Sequence, residues 1–397
     1  MSKLSDLINE LCPDGVEYRR LGDIATISRG GNLQKKDFCD EGTPCIHYGQ
    51  IYTKFGLFTD KALTYIREDV AKRQKMASPN DIVMAVTSEN IDDVCKCVVW
   101  LGDEDIAVSG HTAIIHHNQN AKYLAYYFHS NMFFKQKTKL AHGTKVIEVT
   151  PDKLNSVKIP VPPLEVQREI VRVLDSFTLL TAELTAELTA RKKQYEYYRD
   201  FLIDNPLGNV QEKKMGDVLT FLNGRAYKQE ELLNQGKYPV LRVGNFYTND
   251  SWYYSDIELD SSKYCEKGDL LYSWAATLGP RIWDGTKCIY HYHIWKIIFD
   301  EDEIDKLYLY YYLQYDLKKI SGSTTKSTMI HVSMSSMKER TIILPNIEEQ
   351  RTIAGLISRF DKLCTDIKEG LPAEIEDRRK QYEYYRDRLL TFEQMGA

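Results

Sequence analysis

Arg191–Asp200 reads RKKQYEYYRD and Arg378–Asp387 reads RRKQYEYYRD, two ten-residue blocks that differ only at Lys192 and Arg379. A second pair of related blocks lies upstream: Pro162-Pro163-Leu164-Glu165-Val166-Gln167-Arg168-Glu169-Ile170 and Pro345-Asn346-Ile347-Glu348-Glu349-Gln350-Arg351-Thr352-Ile353. The upstream blocks stand 183 residues apart and the Tyr-rich blocks 187. Solenoid repeats run at about 20–50 residues, so a period this long implies a duplicated half-molecule. Duplicated halves suit a target that itself has two parts.

Residues 164 to 203, which link the first upstream block to the first Tyr-rich block, contain neither Gly nor Pro and read as one long helix. Ile170, Leu174, Phe177, Leu184, Leu188, Tyr195, Tyr198 and Leu202 fall on alternating steps of three and four, with Thr181 and Arg191 filling the gaps. That pattern is a coiled-coil seam. Residues 347 to 392 start the same way with Ile353, Ile357, Phe360, Cys364, Ile367 and Leu371. Four extra residues then precede the Tyr-rich block, an insertion of the stutter type. Gly370 and Pro372 predict a kink or break near 370.

The segments between are mixed, with short β-type runs such as Asp81–Val86 and Asp269–Trp274, and they echo one another. Leu21-Gly22-Asp23-Ile24 matches Met215-Gly216-Asp217-Val218, Gly30 matches Gly224, and Gly49–Thr53 matches Gly244–Thr248. Each closes with a Tyr-rich helix and a basic Gly/Thr loop ending at Lys145 or Lys326. The fold class expected is α+β: mixed α/β domains over 1–160 and 206–343, separated by helical spacers over 161–205 and 344–397. The spacers pair as an antiparallel coiled coil, which gives the chain a pseudo-two-fold internal repeat.

Composition narrows the class further. With 397 residues, 43% apolar and 27% charged, the chain has room for two to four cored domains. No apolar run approaches the roughly 18 residues of a membrane span, and the opening MSKLSDLINE lacks an apolar signal core. A cytoplasmic location is the default expectation. The eight cysteines suit a reducing compartment, and Cys95-Lys96-Cys97, the only close pair, does not have a zinc-knuckle spacing. A net charge of −5 argues mildly against nucleic acid, although charge can be local.

Thr181-Ala182-Glu183-Leu184 is repeated at once as Thr185-Ala186-Glu187-Leu188. Each copy adds about 6 Å of helix and about 40° of net rotation. Base pairs rise about 3.4 Å and turn roughly 35°, so the tandem reads as a length adjuster between two DNA-reading domains. Leu at i and i+4 is also simply good coiled-coil sequence.

With these pieces in hand, the chain resembles the specificity (S) subunit of type I restriction-modification systems, and the TAEL tandem resembles the type IC branch. The resemblance covers essentially the whole chain. It implies two target-recognition domains, each reading one half of a bipartite, asymmetric site in double-stranded DNA. It also implies a spacer that docks two methyltransferase subunits, and restriction subunits beside them. S-adenosylmethionine, ATP and Mg would belong to those partners, with no cofactor bound by this chain.

Elementary chemistry agrees with a non-catalytic chain. No Asn/Asp-Pro-Pro-aromatic motif is present for an amino-methyltransferase, and no G-x-x-x-x-G-K-[ST] phosphate loop. His291-Tyr292-His293 alternates as on a strand and reads better as part of an aromatic cluster than as a metal pair. Trp274, Trp283 and Trp295 read as core. A coiled-coil adaptor whose mixed domains bind protein or carbohydrate is the alternative, and a stand-alone methyltransferase or nuclease a third.

Base reading needs donors and acceptors at base edges, with cations on phosphate. In the first domain Arg29, Asn32, Gln34, Lys35 and Lys36 crowd a Gly turn, and His47, Tyr48, Gln50 and Tyr52 follow. Their equivalents are Arg225, Tyr227 and Lys228, then Arg242, Asn245 and Tyr247. Lys137, Lys139, Lys145, Lys318, Lys319 and Lys326 are candidate phosphate contacts. The repeated helical blocks offer Gln167, Arg168, Arg191, Tyr197 and Arg199, with Gln350, Arg351, Arg378, Tyr384 and Arg386, as an edge used twice by two identical partners.

Overall fold

A computed structural model of the protein describes residues 2–247, 249–322, 331–366 and 369–396. The chain forms two compact units, Met1–Thr185 with Ile375–Ala397, and Ala186–Glu374. The first unit is therefore completed by Ile375–Ala397 from the far end of the chain, whereas the second is one continuous stretch that begins inside the first long helix.

The first unit is built on two five-stranded sheets. One runs in the order Ala25–Arg29, Thr112–His117, Ile82–Ala85, Cys97–Trp100, Phe58–Thr59, and the other Phe38–Cys39, Thr64–Ile66, Thr43–Ile46, Ile106–Val108, Lys75–Ala77. Strand Ile82–Ala85 is apolar and buried at every position because both its faces are covered. Ile82 and Met84 join the core that contains Ile115, Tyr123 and Phe133, while Val83 and Ala85 join one that contains Val98, Trp100 and Ile106. A side-chain period of two thus divides one strand between two cores. Full burial stabilises Ile82, Val83 and Met84 by about 1.5–3 kcal/mol each.

The second unit repeats the plan with four strands per sheet: Thr220–Asn223, Ile294–Ile298, Leu270–Ser273, Gly279–Ile282, and Tyr253–Ser255, Tyr238–Leu241, Cys288–Tyr290, Tyr264–Cys265. Leu270 and Tyr272 face one core and Leu271 the other. Trp100 and Trp283 are matched: each donates its indole N–H to a nearby carbonyl, Glu104 O at 2.7 Å and Thr286 O at 2.9 Å.

The Tyr-rich helices, Ala121–Phe128 and Lys306–Gly322, are fastened in parallel ways. Tyr123 donates to Pro160 O at 2.9 Å and Tyr127 to Lys158 O at 2.6 Å. Tyr308 donates to Ile343 O at 2.8 Å and Tyr312 to Thr341 O at 3.1 Å. The middle tyrosine reaches a spacer helix: Tyr126 donates to Asp175 at 2.6 Å, and Tyr311 to Asp361 at 3.3 Å. Buried hydroxyls need such partners, which is why tyrosine rather than phenylalanine serves here.

The first spacer is one helix, Leu164–Asp204. The second, read from sequence as helical over 347–392 with a break near 370, is two helices, Ile347–Thr365 and Leu371–Leu389. At the break Gly370 packs so closely that a Cβ would stand 2.6 Å from Asp366 O. Ile367, assigned to the seam, lies outside the described residues. The seam pairs within units: Phe177 stacks on Tyr385 at 5.3 Å in the first, and Phe360 on Tyr198 at 5.7 Å in the second. In the second unit Cys364 also feels Arg191 and Lys192, so Ala186–Asp204 and Ile347–Thr365 run antiparallel.

Candidate nucleic-acid interface

A cleft of about 560 Å³ opens in the first unit where the Gly30–Gly31 turn meets the Ser109–Thr112 turn. Gly30 N donates to Thr112 O at 3.0 Å, and a Cβ on Gly30 would stand 2.1 Å from Ser109 O, so only glycine permits the approach. The cleft gathers Arg29, Asn32, Gln34, Lys35, His47 and Tyr48. Arg29, Asn32, Gln34, Lys35 and Lys36 are all exposed. Arg29 is oriented by Gly110 O and the Glu148 carboxylate, each at 2.9 Å. A guanidinium held by one surface carboxylate can exchange it for a phosphate or a guanine edge.

Other expected readers have turned inward. His47 caps the short helix Tyr48–Thr53, accepting from Gly49 N at 3.2 Å, while Gln50 Oε1 accepts from His47 N at 2.9 Å. His47 is 7% exposed, and burial, then the charge of Lys35 and His111, pushes its pKa down. It stands as a neutral cap rather than a cation. Gln50 gives its amide to Thr64 Oγ1 at 3.1 Å, and Tyr52 donates its hydroxyl to Thr87 O. Gln50 and Tyr52 therefore shape the loop instead of reading bases, because their polar atoms are already spent. Lys145 is exposed on its loop.

The second unit repeats the frame with other side chains. Arg242 takes the cap position of His47, and Asn245 accepts from Arg242 N at 3.3 Å as Gln50 does from His47 N. Asn245 also donates to Asn249 O and Ser251 O, so it too is a loop-builder. Arg242 is exposed over the Tyr253 ring at 5.2 Å. Arg225 forms a bidentate pair with Glu231 at 2.7 and 3.0 Å and lies over Tyr227. Lys228 is exposed, and Tyr247 is exposed with its hydroxyl 3.4 Å from Thr277 O. Lys326 lies outside the described residues.

Beside them sits an aromatic cluster. His291 and His293 are 4.8 Å apart, with Tyr292 3.9 Å and Trp274 4.9 Å from His293. Burial, then His293 and Arg242, pushes the His291 pKa down to about 4. Trp283 and Trp295 are buried as read from the sequence, but Trp274 is only half-buried and forms a wall of this cluster.

One phosphate candidate is corrected. Lys137 is 5% exposed and gives its ammonium to Asp92 O and Val94 O, where it ties loop to helix. Lys318 and Lys319 stay exposed, Lys318 beside Asp200 at 2.7 Å and Lys319 over the Tyr315 ring at 4.1 Å. Lys139 remains exposed.

The docking edge is corrected in part. Gln167 and Gln350 are both 0% exposed. Gln167 donates to Pro162 O and Gln119, and accepts from Asn120 N; Gln350 donates to Pro345 O and Glu303 O, and accepts from Asp305 N. They fasten each helix start to its own unit and present nothing outward. Arg199 and Arg386 are buried as well, each lying over a tyrosine, Tyr195 or Tyr382, and paired with the aspartate that follows it. Tyr197 at 63% and Tyr384 at 59% are the exposed members, with Arg168 and Arg351. Arg191 and Arg378 are half-buried and held by Gln194 and Gln381.

His111, Gly110 and Glu148 belong to the cleft and its Arg29 anchor but escaped the sequence reading. One signal was present: His111 precedes the apolar run Thr112–Ile115 as His293 precedes Ile294–Ile298.

Residues 13–191 and 208–377 match the family described as type I restriction modification DNA specificity domain. A type I restriction enzyme specificity subunit of Haemophilus influenzae is 33% identical over 283 residues, 67% of this chain and 71% of the relative. The EcoR124I/EcoR124II specificity subunit of Escherichia coli is 33% identical over 255 residues, 59% and 63% of the two chains. Among solved structures, an S subunit of a type I restriction-modification system from M. genitalium superposes with a TM-score of 0.51 at 16% identity, covering 95% of this chain and 96% of that one. A chain from a study of complex assembly in a type I system superposes at 0.65, also 16% identical, covering 95% and 97%.

Proposed function

The chain belongs to the type I restriction modification DNA specificity family, matched in both halves, and from that premise we propose that each unit reads one half of a bipartite, asymmetric DNA site. The chain supplies recognition, and two methyltransferase subunits, joined by restriction subunits, supply the chemistry. S-adenosylmethionine, ATP and Mg belong to those partners. The carrying observation is that one frame, capped by His47 with Gln50 and by Arg242 with Asn245, carries different exposed side chains, among them Arg29, Asn32 and Lys35 in the first unit and Lys228, Arg242 and Tyr247 in the second. One backbone frame presents different side chains, as a protein that reads two different half-sites requires.

Tyr197 and Tyr384 are the proposed centres of the two docking edges. They are exposed aromatics in a block written twice, and one kind of partner present in two copies would meet the same chemistry at each.

Co-expression with the neighbouring methyltransferase, followed by single-molecule sequencing of host DNA for N6-methyladenine, tests the reading. A two-part motif with a fixed gap is expected. A stable complex that leaves no new methylation would favour a coiled-coil adaptor instead.

A further inference from the structure

We propose that His111 reads a base in the half-site of the first unit, with Thr87 as its positioning residue. This rests on the reading of that unit as a DNA-recognition domain. His111 is exposed on the cleft that also holds Asn32, Gln34 and Lys35. Its turn is fixed from below, since Thr112 donates its hydroxyl to Ser109 O at 2.6 Å and Gly30 N donates to Thr112 O.

The ring itself is fixed on one edge. Nδ1 lies 3.1 Å from the hydroxyl of Thr87, which is 8% exposed. Thr87 is held in turn, because its carbonyl accepts from Tyr52. Nε2 has no hydrogen-bond partner among the described residues. In the tautomer whose Nδ1 accepts from the Thr87 hydroxyl, Nε2 carries the proton, a donor on a side chain that lines the cleft. Major-groove acceptors of the right kind are guanine N7 and O6, adenine N7 and thymine O4. A buried anchor behind an exposed donor is the arrangement that fixes a reading group in place.

The matched position in the second unit is built differently. His293 packs edge-on against Trp274 at 4.9 Å, and Ala275 stands where the first unit has Thr87. The role therefore belongs to the first unit alone.

Methylation motifs written in the host by the wild-type complex and by His111→Asn, His111→Gln, Thr87→Val and His293→Asn decide the matter. Asparagine keeps a polar group near Nδ1 and removes Nε2; glutamine reaches the Nε2 position. His111→Asn is expected to relax one base position of one half-site by roughly tenfold, with the other positions and the thermal midpoint kept. His111→Gln should recover part of the discrimination, Thr87→Val should relax the same position more weakly, and His293→Asn should leave that half-site intact. An unchanged motif in His111→Asn overturns the proposal. So does loss of every position together with a lowered melting midpoint, which would mark His111 as structural. A wild-type complex that writes no motif overturns the parent reading instead, and is told apart because the wild type is then silent too.

Discussion

In the first unit, the residue ahead of the interior strand Thr112–His117 is His111, tied to a threonine hydroxyl beside an open cleft. In the second, the residue ahead of Ile294–Ile298 is His293, wedged among Trp274, Tyr292 and His291. The backbone frame around each is the same: a glycine at Gly30 or Gly224, a polar cap at His47 or Arg242, and a loop-building amide at Gln50 or Asn245. The amides that build the frame are spent on it, whereas the positions around them differ. His47 is a buried cap and Arg242 an exposed one, and Asn32, Lys35 and His111 in the first unit or Lys228 and Tyr247 in the second lie on the surface. A duplicated fold can therefore change what it reads without touching what holds it together.

The largest effect expected on that comparison is at the shared frame. Gln167 and Gln350 each satisfy three polar groups at the start of a spacer helix. Replacing either with alanine orphans those groups in a dry site and should cost about 2–4 kcal/mol. Urea unfolding followed by a probe in each unit should show Gln167→Ala lowering the first transition and Gln350→Ala the second, by similar amounts. A neutral Gln350→Ala beside a damaging Gln167→Ala would mean that the two halves share geometry but not energetics.

The proposed docking edges come next. Tyr197 stacks on Phe201 at 6.1 Å, whereas Tyr384 takes a hydrogen bond from Arg388 at 3.4 Å. Each Tyr→Ala change should weaken one copy of the methyltransferase by roughly tenfold, in the range of an aromatic hot spot. The Tyr384 edge should be the more salt-sensitive, because its neighbour is charged. Titration calorimetry at two salt concentrations checks both points, and unchanged binding in the double variant would remove the docking assignment.

Much of this was legible from residue order. The repeated blocks gave the duplication, the three-and-four spacing gave the spacer helix, and Gly370 gave its interruption. What remained hidden was the direction of polar side chains. Gln167, Gln350, Arg199 and Arg386 are polar residues in a repeated motif, and repetition alone does not distinguish a surface used twice from a fastening needed twice. Only the partners do: Asn120 N and Asp305 N sit 47 and 45 residues from their glutamines, at a range where periodicity carries no information. Likewise nothing in the run around Lys137 indicates that its ammonium is claimed by Asp92 O and Val94 O. The unit boundary inside the TAEL tandem was hidden too, because helix continuity and domain membership are separate properties.

The smallest effect expected is common to both units and depends on pH. His129 in the first unit is pushed down to about 4 by burial, with Arg386, Lys137 and Lys96 adding to the shift, while its Nδ1 lies 2.9 Å from Ala125 O. His291 in the second unit is pushed down to about 4 by burial, then by His293 and Arg242. An unfolded histidine titrates near 6.5, so between about 6.5 and 4 the unfolded chain binds protons that the folded chain refuses. Stability is then fully present above about 6.5 and falls as the pH drops towards 4. Both urea transitions should accordingly shift to lower denaturant between pH 7 and pH 5. His129→Gln should flatten the dependence of the first transition only, and His291→Gln that of the second only. A slope that survives in its own unit would assign the acid sensitivity to carboxylates, and would leave the two imidazoles as packing groups whose charge state does not bear on either half.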